Sequence, residues 1–189
     1  MAVARTPREA WIEQGLRTLA ASGVDAVRIE VLAKALGVTK GGFYGYFADR
    51  DALLTAMLDT WERESVDEVL EAVQRVSDPR DKMALAGRLT LSSDRMLGVD
   101  LAVRNWARHD EAVAARLRRV DNERMKLARE MIGTFCSDPD EIEARSLLAF
   151  CLAIGNQFLA ADHNGRTRDE VRARASAIVL DRPSTPASQ

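Results

Sequence analysis

The sequence predicts an all-α protein of about nine helices. A three-helix N-terminal head containing a helix-turn-helix is followed by a larger helical body. Three observations predict this. Ala, Leu, Arg and Glu are abundant, while β-branched alternation is scarce. Helix-start signals recur along the chain and divide it into segments of helical length. The 189 residues, 47% hydrophobic and 30% charged, have the composition of one ordinary globular domain or of a small module attached to a larger one.

The elements follow in order. Thr6-Pro7-Arg8-Glu9 reads as an N-cap, a proline at the first helical position and a capping-box glutamate. The helix it opens turns Ala10, Leu16, Leu19 and Ala20 inward and stops near Ser22-Gly23. A second helix runs from about Ile29 to Leu36 with Leu32, Ala33 and Leu36 on its apolar face, and Gly37 supplies the left-handed residue that ends it. Thr39 caps a third helix and Asp49 a fourth. The fourth is long, because Leu54, Leu58, Trp61, Val69, Val73 and Val76 keep helical spacing up to Ser77-Asp78-Pro79. Asp78-Pro79 opens a fifth, and a short sixth covers about 94–108.

A long seventh helix carries Val113, Leu117, Val120, Leu127 and Met131 on one face. Asp138-Pro139 caps the next one, whose segment "ARSLLAFCLAIGNQFLA" is apolar on nearly every side. Such a helix must be buried on more than one face, in the core or against a partner subunit. Thr167-Arg168-Asp169-Glu170 is a further capping box and opens a last helix through Leu180. The small, polar, proline-bearing tail 183–189 is expected to be disordered.

Composition also excludes several classes. No run of eighteen apolar residues exists, so no membrane span is expected, and the N-terminus lacks the apolar core of a signal peptide. Cys136 and Cys151 fall in separate predicted helices without metal spacing, which reads as a reduced, cytoplasmic protein with buried thiols. His109 and His163 have no partner at metal-ligand spacing, and no nucleophile–base pair stands out. No metal, cofactor or enzymatic site is therefore expected. The net charge is −2, but residues 1–50 hold seven Lys/Arg against five Asp/Glu, so the N-terminal segment is the part suited to approach a polyanion.

The segment "LGVTKGGFYGYF", residues 36–47, holds four of the chain's ten aromatic residues, interleaved with Gly41, Gly42 and Gly45. Helix, glycine-containing turn and short helix over residues 29–47 form a helix-turn-helix pattern, whose second helix enters the major groove of DNA. Lys, Arg, Tyr and Thr side chains can bind phosphates, and glycines let the backbone approach a duplex closely. Phe43 and Phe47 are expected in the core.

"LAKALGVTKGGFYGYFADRDALL", residues 32–54, resembles the DNA-binding signature of TetR-family transcriptional repressors. The resemblance covers the N-terminal quarter closely; the other helices fit in number and length. It implies a DNA-binding head at 1–48 and an effector-binding and dimerisation body at 49–182. Thr39, Lys40, Gly41 and Gly42 would begin the recognition helix, Tyr44 would contact phosphate, and Tyr46 would lie on the groove-facing side. Arg50 takes the place of a phosphate-contacting lysine. Arg28 stands where the family often has threonine, which loses a hydroxyl N-cap.

The resemblance further implies a homodimer on a palindromic double-stranded DNA operator, with a small-molecule effector in each subunit. The nearly all-apolar helix and the last helix are the expected interface, through Leu147, Phe150, Cys151, Ile154, Phe158 and Ile178. Trp61, Met83, Met96, Trp106 and Met131 could line a pocket, with His109, Asn156 or Arg104 as polar contacts, although Arg104 reads better as a solvated face. The alternatives are a helical small-molecule-binding or enzymatic bundle without a DNA role, and a DNA-binding protein with a vestigial pocket that answers to another protein.

Overall fold

The structure, a computed structural model, describes residues 6–78, 81–82, 84–86 and 94–181. Its helices are α1 (Arg8–Ser22), α2 (Ile29–Leu36), α3 (Arg50–Ser65), α4 (Asp67–Gln74), α5 (Asp94–Ala107), α6 (Glu111–Ile132), α7 (Pro139–Gly155) and α8 (Arg168–Leu180). Two 3₁₀ segments, Val24–Ala26 and Lys40–Gly45, flank α2. Residues 81–82 and 84–86 are also helical. Among the described residues there is no β-strand, only an isolated bridge between His163 and Arg166. Met83 and the tail at 183–189 lie outside the described residues.

Several helices begin where a local cap dictates. Asp49 accepts a hydrogen bond from the Ala52 N–H at 2.8 Å, and Asp138 accepts from Asp140 at 2.9 Å. Thr167 and Glu170 form a reciprocal capping box. Each such cap contributes about 1 kcal/mol. Two expected hydroxyl caps are not made. α1 begins at Arg8 with Pro7 in the capping position, where a ring has no acceptor. Thr39 precedes its segment in extended conformation but makes no side-chain cap bond.

The predicted fourth helix is two helices. Val66 leaves helical geometry (φ −122°, ψ −65°) between α3 and α4. The interruption falls at a β-branched residue followed by Asp67 and Glu68, acids that favour a new first turn.

The chain divides into two compact units. The first, Met1–Val69 with Ser92–Val120, contains the head, α3, α5 and the first part of α6. One apolar cluster runs through it: Trp11, Leu16 and Leu19 of α1, Leu32 of α2, Phe43, Phe47, Leu53, Met57 and Trp61, then Val99, Val103, Val113 and Val120. A fully buried side chain of this size stabilises by roughly 1.5–3 kcal/mol. α1 crosses α3 so closely at Gly15 that a Cβ there would lie 2.6 Å from the Met57 sulfur.

Ala20, expected inward, is exposed, and Trp11 has no exposure at all. Arg95 of α5 donates to Glu13 of α1 at 2.6 Å and to Glu64 of α3 at 2.7 Å, tying three helices together. These hydrogen bonds hold the Glu13 carboxyl below its ordinary range. Arg104 is not on a solvated face; it pairs at 2.8 Å with Asp100, whose side chain is wholly buried.

The second unit, Leu70–Leu91 with Asp121–Gln189, contains α7 and α8 packed together. Arg145 of α7 donates to the carbonyls of Val179 and Asp181, and Arg168 donates to that of Asn156 at 2.6 Å. Guanidinium groups thus fasten both ends of the helix pair. Cys136 is buried in this unit, whereas Cys151, expected buried, is exposed. Among the described residues α7 does not bury its apolar surface: Ser146 is its one buried residue.

Candidate functional site

The end of α2 is built by Gly37 in the left-handed conformation (φ 69°), which lets the Val38 N–H return to the Ala33 carbonyl at 3.0 Å. Thr39 is extended, and Lys40–Gly45 then coils as a 3₁₀ helix. Three glycines in six residues weaken an α-helix, while a 3₁₀ turn stacks side chains three residues apart. Phe43 therefore points inward. Its ring meets the edge of Trp11 at 5.4 Å and stacks on Phe47 at 5.2 Å. Such aromatic pairs add about 0.5–1.5 kcal/mol beyond their buried area.

The opposite side of the segment is open. Thr39, Lys40, Gly41 and Tyr44 are exposed, Tyr44 by 59%. Gly42 is half-buried, and Tyr46 is half-buried against the apolar cluster. Gly41 and Gly42 both have ordinary negative-φ backbone. A Cβ on Gly41 would come no nearer than 3.7 Å to Thr39 Oγ1, and one on Gly42 no nearer than 3.8 Å to Trp11. Among the described residues nothing requires glycine at either position. The result is bare backbone beside a hydroxyl, an amine and a phenol.

The cations of the head differ in how they are held. Lys40 pairs with Glu30 of α2, and its ammonium keeps the Glu30 carboxyl below its ordinary range. Arg28 precedes α2 in extended conformation with no side-chain cap, and its Nε donates to the Asp25 carbonyl at 3.0 Å. Arg50 donates through Nε to Val27 O and through Nη2 to Val24 O, each at 2.7 Å. Its guanidinium fork clamps the turn before α2 to the start of α3. A lysine could not hold both carbonyls in that geometry. The arginine in place of the expected lysine was the one sequence signal of this clamp.

The body candidates separate by unit. In the first, Trp61 and Met96 are buried, Trp106 is half-buried against the cluster, and His109 is exposed. In the second, Met131 is buried and Asn156 is half-buried. Met83 lies outside the described residues. Also in the second unit, Leu147, Cys151, Phe158 and Ile178 are exposed, Leu147 by 53% and Phe158 by 70%, while Phe150 and Ile154 are half-buried. Leu148 and Leu159 join this exposed apolar surface and were not anticipated. Among the described residues no group of His, Cys, Asp or Glu could hold a metal ion, and no helix is long and apolar enough to cross a membrane.

Residues 12–57 match the family model of bacterial regulatory proteins, tetR family. The uncharacterized HTH-type transcriptional regulator YuxN of Bacillus subtilis (strain 168) is 30% identical over 69 residues, which span 36% of this chain and 24% of YuxN. A transcriptional regulator from Saccharomonospora viridis, solved in complex with choline, superposes with a TM-score of 0.73 at 17% identity, over 91% of this chain and 94% of that one. AibR, solved with isovaleryl coenzyme A and operator DNA, gives 0.65 at 14% identity, over 91% and 97%. At these identities the structural likeness is one of fold. The head, however, carries the matched domain itself: residues 12–57 are those of the bacterial regulatory proteins, tetR family.

Proposed function

We propose that the chain is a ligand-responsive transcriptional repressor that binds a palindromic operator as a homodimer and is released by a small molecule. The observation that carries this reading is the open edge of the head. Bare backbone at Gly41 and Gly42, which no packing among the described residues requires, lies beside exposed Thr39, Lys40 and Tyr44. Those groups suit phosphate oxygens and base edges, and the bare backbone suits close approach to a duplex. Arg28 would add a phosphate contact. Arg50 would act chiefly by fixing α2 against α3, and Tyr46 by bracing the recognition segment from behind. The protein would work in the cytoplasm, with the head at 1–48 and the body at 49–182 dividing the tasks.

The exposed apolar residues of α7, α8 and the connection between them support a dimer, since large exposed apolar surface marks an interaction site. Two heads on half-sites roughly 34–36 Å apart would combine their contacts. The choline and isovaleryl coenzyme A complexes of proteins with this fold support a small-molecule effector. Such a ligand would favour a body arrangement that separates the heads. Selection of bound DNA from a random pool tests the reading: a palindrome is expected. Binding that is indifferent to salt, or to Lys40→Ala combined with Tyr44→Ala, would overturn it.

A further inference from the structure

Three buried polar groups in the first unit have no hydrogen-bond partner among the described residues: the indole N–H groups of Trp11 and Trp61 and the hydroxyl of Ser65, and the last two share one helix. Trp61 is fully buried and Ser65 is 1% exposed. They stand one turn apart on α3, so both side chains project from the same helix face. Trp61 belongs to the apolar cluster of the unit, to which α5 and α6 contribute Met96, Val99, Val103, Val113 and Val120. An unsatisfied buried polar group is costly, and two on one face are rarely left without a use. Moreover, α3 ends at Ser65 and the chain leaves helical geometry at Val66, so the orphaned pair sits at the turn where α3 stops.

The geometry points to Trp61 and Ser65 as the hydrogen-bonding end of an effector site for a predominantly apolar, uncharged ligand carrying a carbonyl or ether oxygen. An indole N–H can only donate, and a serine hydroxyl can rotate to donate beside it, so together they ask for an acceptor. The buried ion pair of Asp100 and Arg104 in the same unit is satisfied by its own partners. That pair therefore offers no unpaired charge to an ionised ligand. Filling this site would hold the end of α3, the helix whose first residue, Arg50, clamps the head. The inference rests on the effector-responsive reading above.

The test uses the full-length protein with 2-octanone as the acceptor-bearing probe, and with octane and octylamine as controls. The chain has three tryptophans, hence three indole N–H resonances, and loss of one in Trp61→Phe assigns the relevant signal. With 2-octanone that resonance should move downfield and saturate, and octane and octylamine should leave it in place. Ser65→Ala should raise the melting temperature by removing an unsatisfied hydroxyl while weakening the probe roughly 5–10-fold. A merely structural serine would not combine those two effects.

The inference is overturned if 2-octanone leaves the resonance unmoved, if octane or octylamine shifts it equally, or if Ser65→Ala binds the probe as tightly as the natural protein. Binding of the selected DNA, measured on the same samples, separates the two readings. DNA binding without the probe shift removes only this site, whereas loss of both removes the regulator.

Discussion

The edge of the head at residues 39–44 and the outer side of α7 and α8 are both exposed, yet they are made of opposite materials. The first offers a hydroxyl, an amine, a phenol and bare backbone. The second offers Leu147, Leu148 and Ile178, with Phe158 and Leu159 in the connection between the two helices. Water satisfies the first surface well, so a partner must replace water with something more strongly charged, as phosphates do. The second surface gains only by leaving water, at roughly 25 cal/mol for each Å² covered. A like surface on a second copy is its natural cover. On the proposed reading, one chain would carry one surface for a polyanion and another for a second copy of itself.

The severest way to break this comparison is Leu147→Glu with Leu148→Glu. Sedimentation should show monomers, and operator affinity should fall on the order of 10²–10³-fold as the two heads lose their linkage. A variant that stays dimeric with full affinity would remove α7 from the interface. The next effect sharpens the role of bare backbone. Gly41→Ala with Gly42→Ala should lower operator affinity roughly 10–100-fold while holding or raising the melting temperature, because alanine is favoured over glycine by about 0.5–1 kcal/mol. Unchanged binding would leave those glycines without a purpose.

Lys40→Ala should weaken binding about tenfold and reduce the slope of log affinity against log salt by about 1, measured by fluorescence anisotropy. Arg50→Lys should cost about 1–2 kcal/mol in urea unfolding through loss of the two carbonyl bonds, with a smaller effect on affinity than Lys40→Ala. The smallest effect belongs to Glu30→Gln, which releases Lys40 and should raise affinity roughly 2–3-fold at neutral pH. Its pH dependence has a definite sign. The folded-state carboxyl is held below its ordinary value of 4.5, so the pair is intact above that value. The pair is lost as pH falls through the lowered one. In sufficiently acid solution the natural protein and Glu30→Gln should therefore bind alike.

What was legible in the sequence was local. The caps at Asp49, Asp138 and Thr167 and the turn at Gly37 depend on a few neighbouring residues and appear where the sequence puts them. The inward rings of Phe43 and Phe47 were legible for the same reason. What was not legible depended on distant partners. The break at Val66 lies inside an unbroken apolar periodicity, which reports buried faces and not backbone continuity. The Arg50 clamp reaches back more than twenty residues. Ala20 and Trp11 on α1 are divided by the angle at which the neighbouring helices cross, which a helical wheel does not contain. Cys151 is exposed because the described residues leave the apolar surface around it uncovered.

The pairing of Lys40 with Glu30 bears on how such a protein finds its target. The foremost cation of the head arrives with a counter-anion already in place. A random stretch of duplex offers phosphates but nothing else, and gains little from a charge that is already neutralised. A true site adds base contacts that make exchanging Glu30 for phosphate worthwhile. With a net charge of −2, the chain would be poorly retained by the vast excess of decoy sequence in a genome. The carboxylate trades some grip on every DNA for freedom to keep searching.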